Sequence, residues 1–164
     1  MISCKSSGSV RRHSHKSGTH LPVSKGKENI KVHGLRRALI EEALSWEGTP
    51  YKYANSDKRE GTDCSGMVLR VYDDVAEIKL PRNSAKQSEY CRVIRQKDVR
   101  PGDLVFFATG SDPSRVSHVG MMIDDTRFIH ASTKKGVVIS DITTPYYQRT
   151  FICFGRVPDR KLED

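Results

Sequence analysis

The chain has 164 residues, 36% of them hydrophobic, with four cysteines, one tryptophan and a formal charge of +8. That is enough for one domain and too little for two full-sized ones. A chain of this size can bury roughly 70% of its unfolded surface, so it needs neither metal nor disulfide to fold. The charge first suggests a nucleic-acid partner, but residues 1–34 carry seven Lys/Arg against one Glu, leaving 21 basic and 19 acidic residues for 35–164. The body is therefore close to neutral. Four of the six histidines lie in that basic segment, and only His118 and His130 lie beyond it.

In chain order, residues 1–34 are rich in Ser, Lys, Arg, His and Gly and read as a disordered tail or tether. No stretch matches a membrane span or the apolar core of a signal peptide. The first ordered element is predicted as a helix over 35–47, from the helical spacing of Leu35, Leu39, Ala43 and Trp46, stopped by Gly48, Thr49 and Pro50. Residues 54–63 form a polar loop rich in turn formers. A second helix is predicted over 64–75, where Cys64, Met67, Val68, Val71, Tyr72 and Val75 repeat at three-to-four spacing and Thr62 or Asp63 supplies the cap. A third, short helix follows over 84–90 behind Asn83.

After Pro101 and Gly102 the pattern changes to short apolar runs at 104–108, 118–123, 127–131, 137–140 and 151–157, which predict strands. Asp124, Asp125 and Thr126 form a tight turn between the second and third. Helices first and strands afterwards predict an α+β domain, with an antiparallel sheet and the helices packed on it.

Cys64 is the only reactive side chain joined to a local device that would activate it. It opens the second predicted helix within Gly61-Thr62-Asp63-Cys64-Ser65-Gly66. There the unpaired N–H groups and the positive dipole end favour a thiolate and could later hold an oxyanion. Gly66, costly inside a helix, suits a place that substrate or another backbone must approach closely. On periodicity alone, Cys64 also fits a buried apolar helix face. His118 begins one predicted strand and His130 ends the next. Residue 124 lies midway between them, so a hairpin centred there sets 118 opposite 130 or its neighbour. Such a pair can act as a relay, one imidazole taking the thiol proton and the other orienting it. Each alone also fits a half-buried strand residue.

The blocks Pro50-Tyr51-Lys52-Tyr53, Gly61 to Val68, Leu80-Pro81-Arg82, Pro101 to Phe107, Ser117 to Met121 and Phe128 to Ser132 resemble, in order and spacing, the NlpC-type cell-wall cysteine peptidases. The likeness covers about residues 35–157. It implies a papain-like fold and hydrolysis of amide bonds in peptidoglycan stem peptides, typically γ-D-glutamyl to a diamino acid such as meso-diaminopimelate. By position it makes Cys64 the nucleophile, His118 the general base and His130 the residue that orients it. It places the Tyr51 hydroxyl near substrate or the oxyanion, and makes Asp63, Ser65 and Ser132 substrate contacts. It implies no cofactor and no metal. Ala54-Asn55 stands where members usually carry Gly-Gly, and Met67 replaces a usual aromatic.

The expected organisation is thus a tail over 1–34, a catalytic domain over 35–158 and a polar C-terminal tail over 159–164. Other thiol chemistry on the same fold, amidase or acyl transfer, is the nearest rival; the order Cys, His, His argues against the permuted lipid-acting branch. A zinc site on Cys64, His118 and His130 lacks any close-spaced ligand pair. A monomer is expected, acting on stem peptides and not on nucleic acid. Met1-Ile2-Ser3-Cys4 is similar to the end of a lipoprotein signal, so a lipidated Cys4 would anchor the chain in the bacterial envelope; an incidental thiol is the alternative. Whether Cys91 and Cys153 pair is left open.

Overall fold

The structure, a computed structural model, describes residues 34–163. The expected tail and Cys4 lie outside them. The elements run α1 (Leu35–Leu44), β1 (Ser56–Asp57), β2 (Gly61–Thr62), α2 (Cys64–Ala76), α3 (Ser84–Tyr90), β3 (Arg92–Ile94), β4 (Leu104–Phe107), β5 (His118–Met122), β6 (Arg127–Ser132), β7 (Gly136–Asp141), α4 (Pro145–Thr150) and β8 (Phe151–Arg156). Short 3₁₀ turns occupy Gln96–Asp98 and Arg160–Leu162. Six strands form an antiparallel sheet in the order β3-β8-β4-β5-β6-β7. The predicted α+β class is the one observed.

The two faces of the sheet follow from strand alternation. Leu104 and Phe106 of β4, Val119 and Met121 of β5, and Ile129 and Ala131 of β6 face α1 and α2. There they meet Leu39, Ile40, Ala43, Trp46, Met67, Val68, Val71 and Tyr72 in the larger core. The intervening residues Val105, Phe107, Met122 and Phe128 gather with Ile142 and Phe154 in a smaller core on the opposite face, with Tyr147 packed against it. Each large apolar side chain buried this way contributes roughly 1.5–3 kcal/mol. Cys91 and Cys153 belong to the larger core.

One charged cluster ties the layers together. Asp103, 1% exposed, accepts from Arg36 of α1 at 3.1 Å and from Arg156 of β8 at 2.7 and 2.9 Å. The Tyr72 hydroxyl donates to the Gly102 carbonyl at 2.6 Å. Pro101-Gly102-Asp103, one of the sequence blocks, therefore acts in the architecture and not in the site. Arg36 also donates to the Leu162 carbonyl at 2.6 Å, and Leu162 is 1% exposed. The expected C-terminal tail thus contains a docked turn: a single apolar residue among Arg, Lys, Glu and Asp finds a slot under α1.

Other departures are local. Helix α1 stops at Leu44, three residues short of the prediction, and Gly48 donates to Val137 of β7. The polar loop over 54–63 carries the small β1–β2 hairpin. Strand β3 and helix α4 were not predicted: β3 is held by pairing with β8, and every residue of α4 is at least partly exposed, so neither leaves a periodic apolar signal.

Candidate active site

Helix α2 begins at Cys64 because Asp63 caps it, its carboxylate accepting from the Gly66 N–H at 2.7 Å. Gly66 answers the question its position raised. A Cβ there would collide with the Asn55 carbonyl and stand 2.9 Å from Asp63 Oδ1, so the close approach is by backbone. The loop over 54–63 is thereby clamped against the first turn of α2. Tyr51, bridged to Thr62, is held beside it.

The Cys64 sulfur sits at the end of β5, where the N–H groups of Val119, Ser65 and Cys64 itself all face it. These donors favour the thiolate, as the sequence suggested. Burial opposes them and is larger, and the Asp63 carboxylate adds to it, so the thiol lies above its ordinary value. The expected thiolate preference is thus reversed at rest. Only three-dimensional crowding produces that result.

His118, the first residue of β5, lies next to Val119 and projects to the other face of the sheet. Its Nε2 is 2.8 Å from Nδ1 of His130, and the rings meet edge-on at 4.9 Å. The register differs from the count made on the sequence. Met121 pairs with Ile129, which extended by one residue puts His130 opposite Gly120 and not opposite His118. The two imidazoles meet on the diagonal, a reach that long side chains on one face can span. Gly120 leaves the room: a Cβ there would come 2.6 Å from Phe128 Cδ2 and 3.2 Å from His130 Cβ.

This pair sits in an aromatic layer. Phe128 stacks 4.7 Å from His130, Tyr147 lies 5.6 Å away, and Phe107 is 6.1 Å from His118. Burial lowers His118 to about 4 and, with the neighbouring His118 charge, His130 to about 3. Burial thus acts on both imidazoles and on the thiol in the direction of their uncharged forms.

On the opposite flank Arg82, just before α3, grips Asp63 with both Nη atoms, at 2.8 and 3.0 Å, and donates to Ser65 Oγ at 3.0 Å. Gln87, fully buried, donates to the carbonyls of Ser65 and Pro81 at 3.0 and 2.9 Å. Asp63 and Ser65, read as substrate contacts, therefore have their polar atoms engaged within the protein, and Ser65 is 5% exposed. Sequence reasoning gave Arg82 and Gln87 no role; the Leu80-Pro81-Arg82 block was the available signal. The Tyr51 hydroxyl is held above its ordinary value by burial and by Cys64 and Asp63, so it remains a donor. Ser132 Oγ is turned toward the Lys134 and Lys135 N–H groups at 3.4 and 3.3 Å, across from the Thr49-Pro50 segment that packs on Gly136. Among the described residues, no three His, Cys, Asp or Glu side chains are grouped as metal ligands.

Helices on an antiparallel sheet, with a cysteine opening the long helix against a strand that starts with histidine, define a papain-like α+β domain. The chain belongs to the NlpC/P60 family, whose family model matches residues 48–156. It is 42% identical over 113 residues to a protein of Escherichia coli described as a probable endopeptidase NlpC, covering 69% of this chain and 72% of that one. It is 40% identical to a probable endopeptidase of Haemophilus influenzae, covering 69% of each. With the E. coli murein DD-endopeptidase MepS/murein LD-carboxypeptidase it shares 34% identity over 77% of this chain and 65% of that one. Among solved structures, an NlpC/P60 family protein from Bacillus cereus superposes with a TM-score of 0.69 at 31% identity, covering 74% of this chain but 40% of that one.

Proposed function

We propose that the chain is a cysteine endopeptidase that hydrolyses amide bonds in peptidoglycan stem peptides, with Cys64 as nucleophile, His118 as general base and His130 orienting it. The observation that carries this reading is the Cys64 thiol facing three backbone N–H groups, one of them that of Val119, the residue after His118, which is bonded to His130. The kinship with probable and established endopeptidases supports the substrate class. For the bond, the γ-D-glutamyl to diamino acid linkage is the reading carried from the sequence blocks; of two relatives at 34% identity, the Bacillus subtilis bifunctional muramidase/DL-endopeptidase CwlT, over 73% of this chain and 36% of that one, is a DL-endopeptidase and the E. coli protein MepS a DD-endopeptidase.

His118 takes the Cys64 proton as the sulfur attacks the amide carbonyl, because both partners start uncharged. The backbone N–H groups that faced the thiol then stabilise the oxyanion, with the Tyr51 hydroxyl as a further donor. His118 returns the proton to the leaving amine. Water, deprotonated by the same imidazole, hydrolyses the thioester. The Asp63–Arg82 pair holds the first turn of α2 in place, and a substrate amine would have to displace Arg82 to reach Asp63. Ser132, the last residue of β6, and Tyr51 are the better placed of the sequence-derived substrate contacts. The catalytic unit runs from residue 35 through the docked turn at Leu162, and the basic tail tethers it to the bacterial envelope, through a lipidated Cys4 or through charge alone.

The test is mass spectrometry of stem peptides digested by the wild type and by Cys64→Ala. Release of fragments by the wild type alone identifies both the nucleophile and the bond. Equal release by the two proteins overturns the reading.

A further inference from the structure

His130 is 1% exposed, yet both ring nitrogens have partners. Nδ1 meets His118 Nε2 at 2.8 Å; Nε2 lies 2.8 Å from Ser140 Oγ and 3.3 Å from the Tyr147 hydroxyl. We propose that Ser140, supported by Tyr147, is a positioning residue that fixes the direction of the N–H groups along the histidine pair. The proposal builds on the assignment of Cys64 and His118 made above.

His118 uses Nε2 on His130, which leaves Nδ1 as its one ring nitrogen for the thiol. To take a proton, Nδ1 must hold a lone pair, and the His118 proton must sit on Nε2. That N–H donates to His130 Nδ1, which must then be bare, so the His130 proton sits on Nε2. A buried N–H there requires an acceptor, and the Ser140 hydroxyl oxygen is the nearest. Reversed polarity, with the hydroxyl donating to Nε2, would put an N–H on His118 Nδ1 against sulfur and leave no base. Only one proton moves in the forward reaction, from Cys64 Sγ to His118 Nδ1; the two other N–H groups stay where they are and stabilise the imidazolium. The groups bonded to His130, namely His118, Ser140 and Tyr147, are all uncharged in this state.

The sheet builds this line by repeating one geometric step. In the β6–β7 register His130 pairs with Val138 and Ser140 pairs with Phe128, so His130 and Ser140 meet on a diagonal, as His118 and His130 do across β5 and β6. Residues 118, 130 and 140 share the aromatic face. Tyr147 covers it from α4, its ring 5.2 Å from Phe107 and 4.9 Å from Phe128.

The experiment uses the full chain with Ser140→Ala, Tyr147→Phe, both together, and Ser140→Thr. Imidazole ¹⁵N shifts report the tautomers. The rate of Cys64 alkylation by iodoacetamide between about pH 5 and pH 9, with the modified peptide identified by mass spectrometry, reports base strength without a substrate. The wild type should show His130 protonated on Nε2. Ser140→Ala should slow alkylation about tenfold and the double variant about 100-fold, while Ser140→Thr should stay within about threefold of wild type. On stem peptides kcat should fall with KM unchanged. A wild-type His130 protonated on Nδ1, or a double variant with unaltered shifts and alkylation, overturns the proposal. The alkylation pattern appearing without any release from peptidoglycan would uphold the positioning role and overturn the substrate assignment.

Discussion

Cys64 is flanked by two regions that stabilise their polar groups in opposite ways. On the β5–β6–β7 side, His130 is enclosed by Phe128 and Tyr147, the partly exposed His118 has Phe107 at 6.1 Å, and desolvation lowers both imidazoles. On the α3 side the Asp63 carboxylate beside the thiol is gripped by Arg82 in a two-pronged ion pair. The difference shows how a fold can set one group up to change charge and another to keep it. Desolvation without an oppositely charged partner favours the uncharged form, whereas a bidentate ionic partner favours the charged one.

The largest effects should come from breaking the neutral flank. His118→Ala should lower kcat/KM on stem peptides by roughly 10²–10⁴-fold, the range of a lost general base. His130→Gln should be milder, about tenfold, because an amide can still accept from His118 Nε2–H and orient it. Equal losses in the two variants would show that His130 does more than orient.

Breaking the charged flank should matter less for catalysis. Arg82→Ala leaves Asp63 uncompensated beside the sulfur, so the thiol is pushed further up and alkylation at neutral pH should slow by about tenfold. Arg82→Lys should recover part of this, since a lysine restores charge but not the fork. Stability should fall by no more than about 1 kcal/mol, because the guanidinium is half exposed to solvent. A full loss of fold in Arg82→Ala would instead mean that the pair is a main support of α2.

Stability against pH should respond to the His118–His130 pair. Unfolded histidines bind protons near their ordinary value of 6.5, while the folded ones resist until about 4 and about 3. The unfolded state therefore takes up protons first as pH falls. The stability contributed by the neutral pair is complete above about pH 6.5 and declines as pH drops toward 4. Melting temperature should fall over that interval, and the slope should flatten in a variant carrying His118→Asn with His130→Gln. The same slope in both proteins would show that the pair is not what resists protonation.

Much of this was legible in the chain itself. The apolar period of 3.6 and a capping Asp located α2 to within a residue, and the Asn83 cap located the short α3. The short apolar runs separated by turns located β4 to β8. What was missed lacked a local cause: β3 is a three-residue edge strand held by β8, and Leu162 is buried by a slot that α1 and Arg36 create. At the site, the residue types and their spacing pointed to Cys64, His118 and His130. Counting from the turn set His118 opposite His130 or its neighbour, whereas the register puts His130 opposite Gly120 and makes the contact diagonal, a displacement that hairpin geometry decides and composition does not.

By itself, then, the sequence determined the fold class, the helix that carries Cys64 and the short list of groups able to do acid–base work. Those depend on periodicity, capping and residue chemistry, all of which act over a few neighbours. Only the tertiary structure decided that the thiol is raised and not lowered, that Asp63 is committed to Arg82, and that Ser140 and Tyr147 stand behind His130. Charge state and hydrogen-bond direction depend on which distant groups exclude water and which accept a proton, and those neighbours exist only once the sheet has closed over them.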